Sequence, residues 1–298
     1  MFKNSTQNGI FFMLLSLFFF STQDVQVKYI STYYNIFLII WIKSIAQLIV
    51  VFLFLIIKER KNYFKSKNYP IQIFRGCCLS SATILYFFGL KNLEMNLAAA
   101  LSFVSPFIVS IFGFFILKEK VSIKRWLVII LGFSGVLIIT RPGFIEFNFS
   151  FFFVLSAAIF WSLFQIFSRF LREDGAFNML MISSFVCFIF SSFFVYFYYQ
   201  EIKSFVVLIF LLSLGIWAAF AEYFMIKAYS STKASIIAPF FYLQMIFYTF
   251  YGYFIFSEIP DYYTIFGCLI LIIFGIINMK LSEKEIDKGV SINTRGNA

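Results

Sequence analysis

The chain has 298 residues, of which 61% are hydrophobic and 13% are charged. This composition is too apolar for a soluble globular protein. The formal net charge of +10 raises the alternative of nucleic-acid binding, but the basic residues lie in short joints between apolar runs and form no continuous basic stripe. The sequence therefore predicts an integral membrane protein that lies in a lipid bilayer and binds no nucleic acid.

The residues available disfavour metal and hydrolytic chemistry. The chain has no His, which is the commonest metal ligand and the usual general base near neutral pH. Its four Cys residues lie inside apolar runs without the paired spacing of a zinc or redox site, at Cys77, Cys78, Cys187 and Cys268. A glycine-rich phosphate-binding loop of the ATPase type is also missing from the sequence. We therefore expect no metal site, no cofactor and no catalytic residues.

Ten apolar runs are predicted to be transmembrane helices, because about 20 apolar residues cross the hydrocarbon core as a helix. They cover residues 9–30, 34–57, 71–91, 95–117, 124–141, 149–171, 178–199, 204–229, 233–256 and 262–280. The first run could mimic a signal peptide, but it continues to Ile30 without a small-residue cleavage site, so we interpret it as the first helix. The polar tail, residues 282–298, is predicted to be cytoplasmic and disordered.

The distribution of Lys and Arg predicts the orientation of these helices. With a cytoplasmic N-terminus, 19 of the 24 basic residues fall on the cytoplasmic side and four on the opposite side, while Lys43 lies inside the second span. One miscounted helix would mix the two sets, so this separation supports ten spans independently of hydropathy. Both termini are therefore predicted to face the cytoplasm.

Residues 86–140 and 223–277 read as two copies of one unit. Each copy contains an apolar helix, a short polar joint, a second apolar helix that ends near a Glu, and a third helix interrupted by Gly. The two Glu residues, Glu119 and Glu258, fall on opposite sides of the membrane in the predicted topology. The predicted fold class is an all-α integral membrane protein with ten transmembrane helices in two five-helix inverted repeats. The repeats are assigned to residues 1–145 and 146–281.

Two of the predicted spans near the N-terminus contain ionisable side chains, which are costly at membrane depth unless they are paired or hydrated. Asp24 precedes Lys28 by four residues, a spacing that favours an ion pair near the outer membrane boundary. Lys43 has Gln47 one turn further along its helix. These two side chains either line a cavity or form a structural pair.

Glu222 is a third ionisable residue inside a predicted span. Its neighbours are apolar, and Lys227, five positions away, lies off its helical face. A carboxylate in such surroundings can bind a proton or a cationic substrate. The alternative is a fixed ion pair with Lys43 or Lys28 across the helix bundle.

Two helices carry polar and aromatic side chains at positions i, i+4 and i+7, which places each set on one face. The two sets are Trp161, Gln165 and Ser168, and Gln244, Tyr248 and Tyr251. Tyr86 opens the first repeat unit within an aromatic pair. These faces line a binding site, or they pack neighbouring helices together.

Pro106 and Pro239 are predicted to interrupt the fourth and ninth helices in mid-membrane, because proline lacks the backbone donor that a helix needs. Three serines flank the first of them, at Ser102, Ser105 and Ser110. Small hydroxyl residues of this kind bind a ligand or serve helix packing.

At these residues the chain resembles the drug/metabolite transporter (DMT) superfamily, and within it the EamA-type transporters with ten helices in two related halves. The first half carries this resemblance in Leu97–Leu101 leading to Pro106, in Leu117–Lys120, in Gly132–Gly135 and in Arg141–Gly143. The second half carries it in Ala238–Tyr242, in Phe256–Asp261 and in Gly267. The second-half motif is similar to a subgroup that includes S-adenosylmethionine carriers of intracellular bacteria. Glu119 and Glu258 match a recurrent family position, which implies a gating or structural role, whereas Glu222 is not part of the family pattern.

The resemblance and the residues together predict a secondary transporter of the bacterial inner membrane that moves a small polar metabolite by alternating access. The metabolite would resemble an amino acid, a nucleoside or S-adenosylmethionine, and Glu222 could couple transport to protons. The candidate binding or coupling residues are Asp24, Lys43, Gln47, Tyr86, Trp161, Gln165, Glu222, Gln244 and Tyr248. A polytopic membrane enzyme that acts on lipid-linked substrates is the alternative, although the chain lacks the His or paired acids of such enzymes. The sequence leaves open whether the protein acts as a homodimer.

Overall fold

The computed structural model describes residues 2–57, 66, 68–118, 122–141, 149–202, 204–231 and 234–295, which form helices and their connections without any β-strand. The helices are α1 (Phe2–Ile30), α2 (Ile36–Ile57), α3 (Tyr69–Asn92), α4 (Met95–Ser102), α5 (Ser105–Phe115), α6 (Ile123–Thr140), α7 (Phe149–Phe170), α8 (Ala176–Tyr198), α9 (Phe205–Ser231), α10 (Ala234–Ile237), α11 (Gln244–Phe256) and α12 (Tyr262–Arg295). Two 3₁₀ segments, Arg172–Asp174 and Ala238–Leu243, complete the order.

Among the described residues, seven stretches of helix are long and apolar enough to cross a membrane, and two shorter apolar stretches follow near the C-terminus. The seven are Thr6–Ile30, Ile36–Phe54, Tyr69–Asn92, Met95–Phe115, Phe149–Phe170, Ala176–Tyr198 and Phe205–Ser231. The two shorter ones are Phe240–Phe256 and Tyr262–Asn278. Each of the ten predicted segments coincides with helical structure over its described residues. The prediction of an all-α, multi-pass membrane protein is therefore confirmed.

The fourth and ninth segments are interrupted, as the prolines predict. Pro106 is the second residue of α5, directly after a break that separates this helix from α4. Pro239 lies in the 3₁₀ segment that separates α10 from α11. Proline fits the first turn of a new helix because that turn leaves its backbone N–H groups unbonded in any case. Both interruptions lie beside the central cavity described below.

The tail beyond Leu281 differs from the prediction. Residues 282–295 continue α12 as a helix, whereas the sequence analysis assigned them to a disordered segment. Glu and Lys have high helix propensity, and adding residues to an existing helix avoids the cost of a new helical nucleus. Composition alone indicated polarity here and did not account for this continuation.

Glycines allow the closest helix contacts in the bundle. A Cβ atom built on Gly135 in α6 would lie 2.7 Å from the carbonyl oxygen of Gly267 in α12, and the reverse substitution gives the same distance. A Cβ atom on Gly215 in α9 would lie 2.4 Å from Cβ of Ala46 and 2.6 Å from the carbonyl oxygen of Lys43, both in α2. The backbone that carries Lys43 is therefore held against α9.

We expect Gly215→Ala to lower the free energy of unfolding of the purified protein by about 1–3 kcal/mol, the usual cost of overpacking. The new methyl group would meet backbone atoms, which cannot rotate away. Gly252→Ala is the matched control, because its nearest contact is a side-chain atom, Asn96 Nδ2, at 3.3 Å. Thermal unfolding in detergent measures the difference, and equal melting temperatures for the two variants would contradict this account of the α2–α9 contact.

Candidate functional site

A cavity lies at the centre of the bundle, between α1, α2, α3, α4, α7, α9, α11 and the 3₁₀ segment before α11. Seven predicted site residues line it: Asp24, Lys43, Tyr86, Trp161, Glu222, Gln244 and Tyr248. Asp24, Lys43 and Glu222 are each 5% exposed or less. The fold thus brings two carboxylates and one ammonium group from three different helices to one enclosed space.

Asp24 is held by a network of hydrogen bonds. The hydroxyl group of Tyr248 donates to Asp24 Oδ2, and Gln244 Nε2 donates to the same hydroxyl oxygen at 2.8 Å. The hydroxyl groups of Tyr86 and Tyr248 lie 2.9 Å apart. Because Tyr248 has one hydroxyl proton and gives it to Asp24, Tyr86 is the donor in this pair. A charge-assisted bond of this kind stabilises the ionised carboxylate and fixes its position.

Lys28 does not pair with Asp24, contrary to the sequence prediction. Its ammonium group forms an ion pair with Glu258 and donates to the carbonyl oxygen of Leu93 at 2.9 Å. Glu258 Oε2 in turn accepts the backbone N–H of Met95 at 2.8 Å. The spacing of four residues permitted an intrahelical pair, but Asp24 is engaged with Tyr248 instead, and Glu258 is stabilised at the N-terminus of α4 by the helix dipole.

Glu222 lacks the fixed ion pair that the sequence left open. Lys28 is engaged elsewhere, and among the described residues no ion pair joins Lys43 to Glu222 within 4.0 Å. Glu222 Oε2 and Gln47 Nε2 are both buried without a hydrogen-bond partner in the part of the chain that the structure describes. The Lys43 ammonium group nevertheless acts electrostatically on both Glu222 and Asp24. Glu222 therefore lines the cavity with a carboxyl group that has one oxygen without a hydrogen-bond partner among the described residues.

The two carboxylates lie at different depths. Ser16 in α1 donates to the carbonyl oxygen of Ala221 at 2.8 Å, which sets the residue next to Glu222 level with Ser16. Further along, Ser213 donates to Gln26 Oε1 at 3.2 Å, so the two helices run antiparallel. Asp24 lies eight residues beyond Ser16 on α1. At about 1.5 Å of rise per residue, the backbone positions of Asp24 and Glu222 are offset by about 12 Å along the helix axes. Helical side chains lean towards the N-terminus of their own helix, so in this antiparallel pair the two carboxylates lean towards each other and lie closer together than their backbones.

Aromatic rings form the wall between these two depths. Phe20 lies one turn before Asp24 on the same face of α1, and its ring contacts the Trp161 ring edge-on, with centroids 5.2 Å apart. The indole N–H of Trp161 is buried and has no hydrogen-bond acceptor among the described residues. This wall gives the cavity an aromatic surface, with one buried donor that has no acceptor among the described residues.

Two predicted site residues lie behind the cavity wall. Gln165 accepts a hydrogen bond from the Tyr229 hydroxyl group at 2.8 Å, and Gln47 is not among the lining residues, although it adjoins Glu222. Ser168, which lies seven residues after Trp161 on the same face of α7, accepts a hydrogen bond from Arg75 Nη1 at 3.0 Å. The polar face of α7 therefore serves the cavity at one end and helix packing at the other.

The sequence analysis missed several residues of this region. Phe20 and Gln23 line the cavity beside Asp24, and Thr83 and Phe241 line it from other helices. The helical spacing of Phe20 from Asp24 was a usable signal, whereas a single Thr in an apolar helix gave none. Arg75, to which the sequence pattern assigned no role, is fully buried in α3.

The predicted gating or structural residues are only partly described. Glu258 forms the ion pair with Lys28, and Pro106 and Pro239 lie at the two helix interruptions. Glu119 lies outside the described residues. Tyr251 in α11 forms a hydrogen bond with Thr22 in α1, with 2.9 Å between the two hydroxyl oxygens.

The sequence profile of the EamA-like transporter family matches the chain twice, over residues 7–141 and 148–279. The chain belongs to the EamA-like transporter family. The resemblance drawn from its motifs is thereby confirmed, and the protein is a membrane transporter of small metabolites. The family and the names of its relatives indicate a transporter rather than an enzyme.

Several named relatives of this EamA-like transporter align over most of the chain. It is 30% identical over 266 residues to an S-adenosylmethionine uptake transporter of Rickettsia prowazekii (strain Madrid E), covering 89% of this chain and 90% of the relative. It is 23% identical to the pseudopaline exporter CntI of Pseudomonas aeruginosa (strain UCBPP-PA14), covering 90% and 94%. A protein crystal structure that is 13% identical superposes with a TM-score of 0.71, covering 95% of this chain and 98% of the other, which shows a shared fold.

We expect Tyr248→Phe to destabilise the transporter by about 1–3 kcal/mol, because the change leaves buried polar groups of Asp24, Gln244 and Tyr86 without their shared partner. Thermal unfolding in detergent measures this loss. Tyr253→Phe, on the same helix but 55% exposed, is the matched control and should be nearly neutral. A Tyr248 variant as stable as this control would argue against the network.

Proposed function

We propose that this transporter moves S-adenosylmethionine, or a metabolite with the same arrangement of charges, through the central cavity. The observation that carries the proposal is the charge of the cavity, where the carboxylates of Asp24 and Glu222 face one ammonium group, that of Lys43. S-adenosylmethionine carries a sulfonium, an ammonium and a carboxylate group, so its net charge of about +1 balances the cavity charge of about −1. Charges in a low-dielectric site are tolerated when they are paired. The 30% identity to S-adenosylmethionine uptake transporters supports the same substrate.

The remaining walls suit the nucleoside part of such a molecule. The rings of Phe20 and Trp161 meet edge-on beside the two carboxylates, and the Trp161 N–H is unused among the described residues. Adenine can stack on an aromatic face and accept one hydrogen bond from the indole. A neutral sugar or a simple anion would leave both carboxylates unbalanced.

Transport is proposed to occur by alternating access between two five-helix inverted repeats, residues 1–145 and 146–281. The double match of the family profile supports this division. Helix packing supports it as well, because exchanging the halves maps the α1–α9 contact onto α7–α3, maps α2–α9 onto α8–α3, and leaves α6–α12 unchanged. With both termini in the cytoplasm, this arrangement fits a protein of the bacterial inner membrane.

Glycine contacts show the same correspondence between the halves. Gly76 in α3 abuts Val186 in α8, and Gly215 in α9 abuts Ala46 in α2. Gly76 and Gly215 are separated along the chain by the same interval as Glu119 and Glu258. Equivalent positions thus make equivalent contacts, which supports a duplicated unit.

Two basic residues are proposed to close the cavity at opposite ends. Lys28, near the end of α1, bonds the carbonyl oxygen of Leu93, and Arg169, near the end of α7, bonds the carbonyl oxygen of Ser230 at 3.1 Å. The positions correspond under exchange of the halves. In alternating access one closure opens while the other holds, and the Lys28–Glu258 ion pair is the closure on the proposed outer side.

Glu222 is proposed to couple transport to protons. Its Oε2 atom has no hydrogen-bond partner among the described residues, so it can accept either a proton or the substrate ammonium group. The two compete for one carboxylate, and such competition links the movement of one to the movement of the other.

We expect purified protein in proteoliposomes to take up radiolabelled S-adenosylmethionine saturably, and Glu222→Gln to reduce this uptake by about tenfold or more because the substrate loses a charged partner. Glu201→Gln is the control, since Glu201 is exposed outside the helices. A pH gradient should alter the rate for the wild type and leave the rate of the Glu222→Gln variant unaffected.

The outcomes separate the parts of the proposal. The proposed substrate would be wrong if the wild-type protein neither binds nor takes up S-adenosylmethionine but does take up an amino acid or a nucleoside from a test panel. If uptake by the Glu222→Gln variant still responds to the pH gradient, the proposed coupling role of Glu222 would be wrong, and the proposed substrate would stand.

We expect Lys28→Glu to slow uptake by about tenfold while leaving binding of S-adenosylmethionine unchanged, because two carboxylates would then face each other at the outer closure. The double variant Lys28→Glu/Glu258→Lys should recover part of the rate, since it restores the attraction but not the bonds to Leu93 and Met95. Uptake rates in proteoliposomes and melting shifts with substrate measure the two quantities. Equal rates for the wild type and both variants would exclude a gating role.

A further inference from the structure

The cavity holds one carboxylate more than an amino acid requires. The zwitterionic head group of an amino acid needs one anion for its ammonium group and one cation for its carboxylate. Glu222 and Lys43 suffice for these two, and both line the cavity. Asp24 is left without a counterpart on such a ligand, although it is buried and lies at a different depth from Glu222.

The two carboxylates also differ in the kind of cation that they suit. Glu222 Oε2 has no hydrogen-bond partner among the described residues, so Glu222 suits an ammonium group, which must donate its hydrogen bonds when it leaves water. Asp24 already receives a hydrogen bond from Tyr248, whose oxygen is itself bonded to Gln244 and Tyr86. A sulfonium group has no N–H or O–H to donate, so it gains from negative charge alone, and an anion already held in place by other donors supplies that charge without reorganising. Asp24 has this property.

Two carboxylates at different depths suit a substrate with two separated cationic groups. In the methionine part of the molecule, four single bonds join sulfur to the amino nitrogen, an extended span of about 5 Å. The ammonium and sulfonium groups can therefore each face a different carboxylate along the helix axes. Phe20, one turn from Asp24, lines the cavity beside it.

We propose that Asp24 is the residue that selects a sulfonium substrate over the corresponding neutral thioether, with Glu222 binding the ammonium group. This inference rests on the proposed function. The transporter thereby distinguishes S-adenosylmethionine from S-adenosylhomocysteine, which differs from it by one methyl group and one positive charge. A hydrophobic pocket distinguishes a methyl group only weakly, so the fixed carboxylate supplies the selectivity.

The test is competition by unlabelled S-adenosylmethionine and S-adenosylhomocysteine for the uptake of labelled S-adenosylmethionine, in the wild type, Asp24→Asn and Glu222→Gln. The wild type should prefer the sulfonium by about tenfold to a hundredfold. Asp24→Asn should weaken the binding of S-adenosylmethionine and leave the binding of S-adenosylhomocysteine unchanged. The preference should then fall to about onefold to threefold. Glu222→Gln should weaken the binding of both ligands by a similar factor and preserve the ratio of their affinities.

A wild type that binds neither ligand would overturn the proposed function itself. A wild type that transports S-adenosylmethionine but binds the thioether equally well would overturn only the role of Asp24, as would an unchanged ratio in Asp24→Asn. If Asp24→Asn fails to fold, Tyr248→Phe replaces it, because this variant keeps the carboxylate and removes the donor that fixes it. Its preference should fall below that of the wild type, and an undiminished ratio would count against the inference.

Discussion

The placement of charge in a medium that cannot solvate it is the constraint on which the rest of this structure depends. Three ionisable side chains from α1, α2 and α9 face one cavity, and each would be costly in contact with lipid. Asp24 is satisfied by a tyrosine that is itself held by two further side chains. Glu222 retains an unbonded oxygen among the described residues. The two carboxylates in one cavity are thus held differently, which supports the proposed binding site over a set of structural ion pairs.

The apolar framework positions these charges through close backbone contacts. Gly215 lets α9 approach α2 at Lys43 so closely that a single methyl group would meet a carbonyl oxygen. Helices in lipid gain little from burying apolar surface against one another, so close packing at small residues provides much of their association. The position of the Lys43 ammonium group therefore depends on a glycine on a neighbouring helix.

Sequence patterns predicted the helices well and their partners poorly. The predicted segments fall on helical structure over their described residues, and the proline positions located both helix interruptions. Periodicity identified the helical face that carries Tyr248, yet it gave Asp24 the wrong partner, because an intrahelical spacing shows which contacts are sterically allowed and not which are made. Lys28 instead reaches Glu258, 230 residues away. Such partners are set by helix packing between the two halves, which no local pattern encodes.

Helix α1 connects the cavity with the proposed outer closure. Along this one helix, Ser16 bonds α9 beside Glu222, Asp24 bonds α11 through Tyr248, and Lys28 pairs with Glu258 just beyond the end of α11. These contacts join a helix of the first half to helices of the second half. Because these contacts lie on one helix, a ligand that moves Asp24 together with α1 also shifts Lys28 relative to Glu258. In the proposed mechanism, α1 therefore couples occupancy of the cavity to closure of its outer end, which a carrier that opens to one side at a time requires.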